Sequence, residues 1–186
     1  FSEADLGEPK GQVFVRALAE LGMQARHLDG RVLPDNAIEV LTAASVVIDA
    51  TDNFATRFLL ADAAFLAGVP IVHAAAVRWH ATVMSVRAEG RPCYRCLFED
   101  IPGGQLLDCA TAGVAGPVCG VSGAIAADRA LRLLAGDGDG TIITFDGLTD
   151  RLRQVTVPAR SDCPLCGSDP QIHGIDEARY VAAGCG

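Results

Sequence analysis

The spacing of hydrophobic residues changes several times along the chain. Over residues 11–22 and 54–68 they recur every three or four positions, the spacing of one helix face. Between these segments, residues 46–48 form an unbroken apolar run, typical of a strand buried on both faces. The other predicted elements are a short strand over 24–33, a helix over 37–43, strands beginning at 70–72 and over 81–86, a loop over 91–108, a helix over 118–134, and strands over 141–145 and 152–157.

The order of these elements predicts the fold class. Helix, strand, helix and strand follow one another in the first half, which favours an α/β fold with crossover helices and an at least partly parallel sheet. Asn53 is a candidate N-cap of the helix over 54–68, and Gly68 is its expected end. The last two strands are expected to be antiparallel additions. We therefore predict a Rossmann-like mixed sheet with an antiparallel C-terminal extension.

Length and charge exclude several classes of protein. The chain has 186 residues, enough for one sizeable core, and a net charge of −8, which argues against nucleic-acid binding. It shows no apolar run long enough to cross a membrane and no secretory signal. We expect a cytoplasmic protein without a membrane or nucleic-acid partner. Because the chain begins at Phe1 rather than Met, we also expect a processed product or a fragment.

Four of the seven cysteines form two C-x-x-C pairs, within residues 91–98 and 161–168. A C-x-x-C turn offers two thiolates to one ion, and two such turns complete a tetrahedral zinc site. A single pair could instead be a redox dithiol, and the thiols could also be unrelated buried groups. We predict a closed structural zinc without a catalytic role, held by Cys93, Cys96, Cys163 and Cys166.

The remaining cysteines are interpreted separately. Cys119 falls on the apolar face of a helix rich in small residues, where a buried, inert thiol is expected. Cys185 is next to the C-terminus and is expected to be exposed. Cys109 lies in a polar loop before a glycine-containing helix start, a setting that can favour an accessible thiolate.

Two aspartates, Asp49 and Asp52, follow the apolar run at 46–48. Ligands of open α/β sheets bind beyond the carboxyl ends of the strands, and a helix N-terminus attracts phosphate. A carboxylate beside a phosphate requires a divalent cation between them, so the pattern suggests a magnesium–nucleotide site, with Lys10 available to neutralise a phosphate. The alternative is that Asp52 only caps the following helix.

Five segments in order along the chain resemble the ThiF/MoeB/HesA family, the bacterial relatives of ubiquitin-activating enzymes. These segments are GEPK at 7–10, DATDNFATR at 49–57, PCYRC at 92–96, CATAGV at 109–114 and CPLCG at 163–167. The resemblance implies a single adenylation domain over 1–186 that lacks its N-terminal part, and a homodimer. It also implies an activity: the C-terminal Gly-Gly carboxylate of a ubiquitin-like sulfur carrier protein reacts with ATP to give an acyl-adenylate.

The resemblance further implies roles for individual residues. Lys10 would contact the ATP phosphates, and Asp52 would hold Mg²⁺ and support adenylate formation. Asn53 and Arg57 belong to the same nucleotide motif, although the role of the arginine stays open. Cys109 matches a position that forms a thioester or a sulfur-linked bond to the carrier in some members. The two C-x-x-C pairs match the structural zinc ligands of the family.

The chain also departs from the family pattern. It contains no G-x-G-x-x-G loop, and Trp79 and His80 stand where relatives usually carry an acidic residue and a glycine. His80 could alter the surface that faces the carrier, although a structural histidine is the favoured interpretation. If the chain is complete, a non-catalytic, zinc-stabilised partner of a carrier or of a complete homologue becomes the alternative. A zinc-containing oxidoreductase ranks below both, because no nicotinamide fingerprint is visible.

Overall fold

A computed structural model describes residues 1–102, 112–138 and 140–180. The chain forms two compact units, residues 1–31 and residues 32–186, and each is described by itself. The expectation of one domain over 1–186 stays a prediction.

The first unit contains helix α1 (Lys10–Glu20), preceded by a short 3₁₀ turn (Glu3–Asp5). The helix is confirmed, and Lys10 is its first residue and exposed. The strand expected over 24–33 is wrong, because these residues have no strand conformation. A strand needs a neighbour for its backbone N–H and C=O groups, and the sequence pattern of one segment does not reveal whether a neighbour is present.

The second unit is built on a five-stranded mixed sheet. Its strands, in both chain order and spatial order, are β1 (Val47–Asp49), β2 (Ile71–Val77), β3 (His80–Val86), β4 (Thr141–Asp146) and β5 (Arg151–Thr156). The first two are parallel, and each later strand pairs antiparallel with its predecessor. The predicted mixed sheet with an antiparallel C-terminal extension is therefore confirmed.

Strand β1 differs from its prediction in one respect. It was expected to be buried on both faces, yet Ile48 is 48% exposed. The strand is short and lies at the edge of the described sheet, and the Ile48 side chain lines a cavity. The apolar run therefore predicts the strand correctly, but it does not predict how much of the strand is buried by neighbouring elements.

The helices of this unit are α2 (Ala37–Thr42), α3 (Phe54–Ala67), the single turn α4 (Tyr94–Leu97) and α5 (Gly116–Leu134), followed by a 3₁₀ turn (Glu177–Tyr180). Helix α3 is the crossover between the parallel strands. It packs in one core with Ile71, whereas α5 packs in a second core with Val72. Since successive strand residues point to opposite faces, α3 and α5 cover opposite faces of the sheet.

Both predicted ends of α3 are confirmed. The Asn53 side chain accepts a hydrogen bond of 2.8 Å from the backbone N–H of Thr56, which satisfies one donor of the first turn. Gly68 has a φ of +66°, the left-handed conformation that favours glycine after a helix. The loop expected over 91–108 is interrupted by α4, and residues 103–111 lie outside the described residues. Among the described helices, none has the length and apolar character needed to span a bilayer.

Candidate functional site

A cavity of about 380 Å³ lies at the carboxyl ends of β1 and β2. This is the place where open α/β sheets bind ligands. Three segments line it: the connection from β1 into α3, the end of β2, and one face of α5. Its lining includes Thr51, Asp52, Asn53, Arg57, Ala74, Val77, Cys119 and Ser122.

Asp49, the first acid after the apolar run, is turned into the protein. Its side chain is fully buried, and its Oδ2 lies 2.8 Å from Nδ1 of His73 on β2. Its Oδ1 accepts hydrogen bonds from the backbone N–H (2.9 Å) and the hydroxyl (2.6 Å) of Thr51. The energetic cost of placing an acid at the end of a buried strand is thus offset by these hydrogen bonds.

Arg57 holds the same loop from the other side. Its Nη1 lies 3.8 Å from Oδ2 of Asp49, and its Nη2 donates hydrogen bonds to the carbonyl oxygens of Thr51 and, at 2.5 Å, Ala74. The carboxylate of Asp49 therefore binds the N–H of Thr51 while the guanidinium binds its C=O. The main chain before Asp52 is therefore held at both the N–H and the C=O of Thr51.

The pKa shifts of Asp49 and His73 indicate which of the two side chains carries a proton. Burial would raise the pKa of Asp49, but the hydrogen bond from His73 and the nearby Arg57 guanidinium outweigh it, so this pKa is lowered. Burial lowers the pKa of His73 despite the neighbouring carboxylate. Near neutral pH, Asp49 is therefore ionised and His73 is neutral, with its Nδ1–H donated to Asp49.

Asp52, the second acid, has a different environment. It is exposed at the cavity, and its carboxylate makes no ion pair with any described residue. The alternative that Asp52 caps α3 is wrong, because the Asn53 side chain makes the capping hydrogen bond. The structure thus brings Asp52, Asn53 and Arg57 to one cavity. Lys10 belongs to the other compact unit, so its expected contact with phosphates stays a prediction.

The four cysteines of the two C-x-x-C pairs form one buried cluster. Their sulfur atoms all lie within 4.8 Å of one another. The Sγ–Sγ distance is 3.4 Å for Cys93–Cys163 and for Cys96–Cys166, and 3.9 Å for Cys93–Cys96. Sulfur atoms around a tetrahedral zinc, at about 2.3 Å from the metal, are roughly 3.8 Å apart. The cluster therefore fits one zinc ion.

Local structure explains how the turns reach this geometry. The N–H of Gly167 donates a hydrogen bond of 2.9 Å to the carbonyl of Cys163. A Cβ atom at position 167 would lie 2.4 Å from that carbonyl oxygen, so this turn requires glycine. The hydrogen bond with Cys166, followed by burial, raises the pKa of Cys93, and a divalent cation would offset the repulsion among the thiolates. None of the cysteines in the described ranges forms a disulfide.

The other cysteine predictions have different outcomes. The prediction of a buried Cys119 is wrong, because the thiol is exposed and lines the cavity. The buried positions of α5 follow the line Val118, Ser122, Ala126 and Ala130, and Cys119 lies beside that line. Cys109 and Cys185 lie outside the described residues, so their predictions stay as they are.

His80 is not the structural histidine that was favoured. Its side chain is 60% exposed, and Nδ1 lies 3.8 Å from the carboxylate of Asp146 on the neighbouring strand. The preceding turn is tied to the start of α5, since the N–H of Arg78 donates to the carbonyl of Gly113 and the N–H of Ala115 donates to the carbonyl of Arg78. His80 and Trp79 therefore stand at the surface.

Sequence reasoning missed several residues of this region. No local pattern assigns a role to His73, although it is the partner of Asp49. Tyr94 lies between the first two cysteines, and its ring centroid is 4.4 Å from that of His73. Arg95 forms a buried ion pair with Asp62. A histidine inside an apolar strand was the one available signal, because burial of such a group requires a partner.

Comparisons with known proteins agree with these motifs. Residues 1–165 match the model of the ThiF family. The chain is 36% identical over 184 residues to the SAMP-activating enzyme E1 of Haloferax volcanii, and 36% identical over 181 residues to the sulfur carrier protein adenylyltransferase of Thermus thermophilus. These alignments cover 95% and 91% of this chain and 67% of each relative.

A solved structure shows the same fold. The crystal structure of E. coli MccB aligns with a TM-score of 0.74 and 17% sequence identity, over 93% of this chain and 54% of that chain. The chain thus spans about two thirds of the length of the two curated relatives and about half of MccB. Since the family model matches most of the chain and both curated relatives exceed 30% identity, the chain belongs to the ThiF family, as its motifs indicate.

Proposed function

We propose that this protein adenylates the C-terminal Gly-Gly carboxylate of a ubiquitin-like sulfur carrier protein with ATP. One observation carries the proposal: the exposed carboxylate of Asp52 lies at the cavity beyond the parallel strands, at the start of α3. The printed names of the relatives in Haloferax volcanii and Thermus thermophilus support it, since they describe an activating enzyme and a sulfur carrier protein adenylyltransferase.

The proposed reaction exchanges one bond for another. A carboxylate oxygen of the carrier attacks the α-phosphorus of ATP, an acyl–phosphate bond forms, and the bond between the α-phosphorus and the bridging oxygen breaks to release pyrophosphate. Asp52 would hold magnesium, which would offset the negative charge that develops on the phosphate oxygens. Lys10 would add a positive charge beside the phosphates. No general base is needed, because the carrier carboxylate is already ionised at neutral pH.

The fixed main chain around Thr51 suits this role. Asp52 must present its carboxylate at one position, and the preceding residue, Thr51, is hydrogen-bonded at both its N–H and its C=O. We propose that Arg57 acts on the nucleotide site by fixing Thr51, since its Nη2 donates hydrogen bonds to the main-chain carbonyls of Thr51 and Ala74. Asn53 caps α3, whose N-terminal dipole favours a phosphate nearby.

The zinc is proposed as structural. All four sulfur ligands come from the protein, so a tetrahedral ion has no position left for a substrate. It would tie the segment after β5 to α4, which stands beside the main core. A homodimer, a cytoplasmic location and a carrier bond at Cys109 remain predictions of this proposal.

The experiment is carrier-dependent ATP–pyrophosphate exchange in the full-length protein, with candidate Gly-Gly carriers, followed by mass detection of the AMP adduct. Asp52→Ala is expected to lower exchange by about 10²–10³-fold, the usual effect of losing one electrostatic contact to the transition state. The matched control is Asp150→Asn, which removes an exposed carboxylate in the turn between β4 and β5. This control is expected to exchange like the wild type, since asparagine tolerates the positive φ of that position.

Two results would contradict the proposal. Exchange retained by Asp52→Ala would place the magnesium role elsewhere. If the wild type forms no adduct with any carrier but still binds one, the protein is instead a non-catalytic partner of the carrier.

A further inference from the structure

His73 is buried between the two parts of the candidate site. It lies on β2, its side chain is 1% exposed, and it belongs neither to the lining of the 380 Å³ cavity nor to the cysteine cluster. Its Nδ1 is 2.8 Å from Oδ2 of Asp49, and since an ionised carboxylate only accepts hydrogen bonds, this nitrogen carries the proton. The histidine therefore fixes the orientation of the Asp49 carboxylate.

The other oxygen of that carboxylate acts on the loop that leads to Asp52. Oδ1 of Asp49 accepts both hydrogen bonds of Thr51, which directly precedes Asp52. A rotation of the Asp49 carboxylate would break one or both of these hydrogen bonds. His73 thus reaches the exposed acid through two residues, over a path made of hydrogen bonds of 2.6–2.9 Å.

The imidazole also contacts the helix that carries two of the clustered cysteines. The ring of Tyr94 lies against that of His73, with 4.4 Å between the centroids and 38° between the planes. Tyr94 stands between Cys93 and Cys96, in helix α4. The imidazole is therefore held at two points, by the hydrogen bond to Asp49 and by the ring of Tyr94, and it lines a second cavity of about 90 Å³.

We propose that His73 is a positioning residue for Asp52: held by Tyr94, it locks the Asp49 carboxylate and thereby places the magnesium-binding carboxylate at the cavity. This inference rests on the proposed adenylation. It adds a requirement that the exposed residues do not reveal, because the cation affinity of Asp52 then depends on a buried neutral imidazole that never touches the substrate.

The test uses the full-length protein with two substitutions at this position. His73→Leu keeps an apolar side chain but removes the donor to Asp49. His73→Asn places an amide N–H near the position of Nδ1 and is the rescue variant. Ser85→Ala is the control, since Ser85 is a buried polar residue of the neighbouring strand whose hydroxyl has no hydrogen-bond partner in the described structure.

Two quantities are measured for each variant: the Mg²⁺ concentration that half-saturates ATP–pyrophosphate exchange, and the binding of Mn²⁺ by electron paramagnetic resonance with α,β-methylene ATP. In His73→Leu, the half-saturating Mg²⁺ concentration is expected to rise about 10-fold and Mn²⁺ binding to weaken similarly, as for other residues that support a metal ligand. His73→Asn should stay within about threefold of the wild type, and Ser85→Ala should be unchanged. A general loss of packing would reduce the folded fraction without changing the Mg²⁺ requirement.

Opposite results would overturn the inference. A folded His73→Leu protein with wild-type Mg²⁺ and Mn²⁺ dependence would show that Asp52 is placed without the histidine. If His73→Asn weakens Mg²⁺ and Mn²⁺ dependence as much as His73→Leu does, the hydrogen bond donated to Asp49 is not the property that places Asp52. If His73→Leu does not fold, His73→Gln replaces it, since its longer side chain moves the amide away from the position of Nδ1. Failure of adenylation itself is distinguished by absent exchange in the wild type, while Mn²⁺ binding still tests His73.

Discussion

The ion pair between Asp62 of α3 and Arg95 of α4 gives the sharpest stability prediction. Arg95 donates to both carboxylate oxygens of Asp62, from Nε at 2.8 Å and from Nη2 at 2.9 Å. The hydroxyl of Tyr180 donates a third hydrogen bond of 2.8 Å to the same carboxylate. The Arg95 side chain is 2% exposed and that of Asp62 is fully buried. Asp62→Leu would leave the Arg95 guanidinium buried without its main partner.

The expected magnitude follows from this burial. Breaking a buried ion pair by removing one partner typically costs about 3–5 kcal/mol, because the remaining charge is not compensated. Replacing the whole group with apolar side chains removes that charge as well. The triple variant Asp62→Leu, Arg95→Met, Tyr180→Phe should therefore be clearly more stable than Asp62→Leu alone.

The assay is urea unfolding followed by circular dichroism, at one fixed zinc concentration for all variants. With an m-value of about 2 kcal/mol per M, Asp62→Leu should lower the unfolding midpoint by roughly 1.5–2.5 M. Asp128→Ala, which removes an exposed partner of Arg132, is the control and should leave the midpoint unchanged. The reasoning is refuted if Asp62→Leu shifts the midpoint by less than about 0.5 M, or if the triple variant is as unstable as the single one.

Two further predictions concern zinc and pH. Native mass spectrometry should find one zinc per chain, lost in Cys163→Ser but kept in Cys119→Ser, because only Cys163 belongs to the buried cluster. A wild-type protein that is folded without zinc would refute the structural role of the ion. Burial lowers the pKa of His73 in the folded state. Below the ordinary pKa of 6.5, the unfolded chain therefore binds a proton that the folded protein does not. The free energy of unfolding should consequently fall as the pH decreases through 6.5. Urea midpoints between pH 7.5 and 5.5 measure this slope, which should be smaller in His73→Leu; an equal slope would assign it to other groups.

The sequence by itself determined most of the second unit's architecture. Helices α3 and α5 and strands β2 to β5 follow from the local spacing of apolar residues, since each element imposes its own period on the chain. The capping of α3 by Asn53 also follows from local sequence, because the residues involved are three positions apart. The two C-x-x-C pairs likewise indicated one cluster, since each turn brings two sulfur atoms together.

Only the tertiary structure decided what each of the two acids does. The sequence places Asp49 and Asp52 three residues apart at the end of the same apolar run, and nothing local separates a buried carboxylate from an exposed one. The difference arises because Asp49 meets His73, which is 24 residues away on the neighbouring strand. The same holds for Asp62 and Tyr180, which are 118 residues apart.

The tertiary structure also decided which side chains are exposed. Cys119 looked buried by its apolar neighbours, yet it faces the cavity because burial depends on what packs against α5 and not on the helix alone. The segment 24–33 failed as a strand for a related reason, since a strand exists only with a partner. Periodicity and short motifs are properties of neighbouring residues, whereas partners, burial and the place of a charge depend on how distant segments of the chain meet.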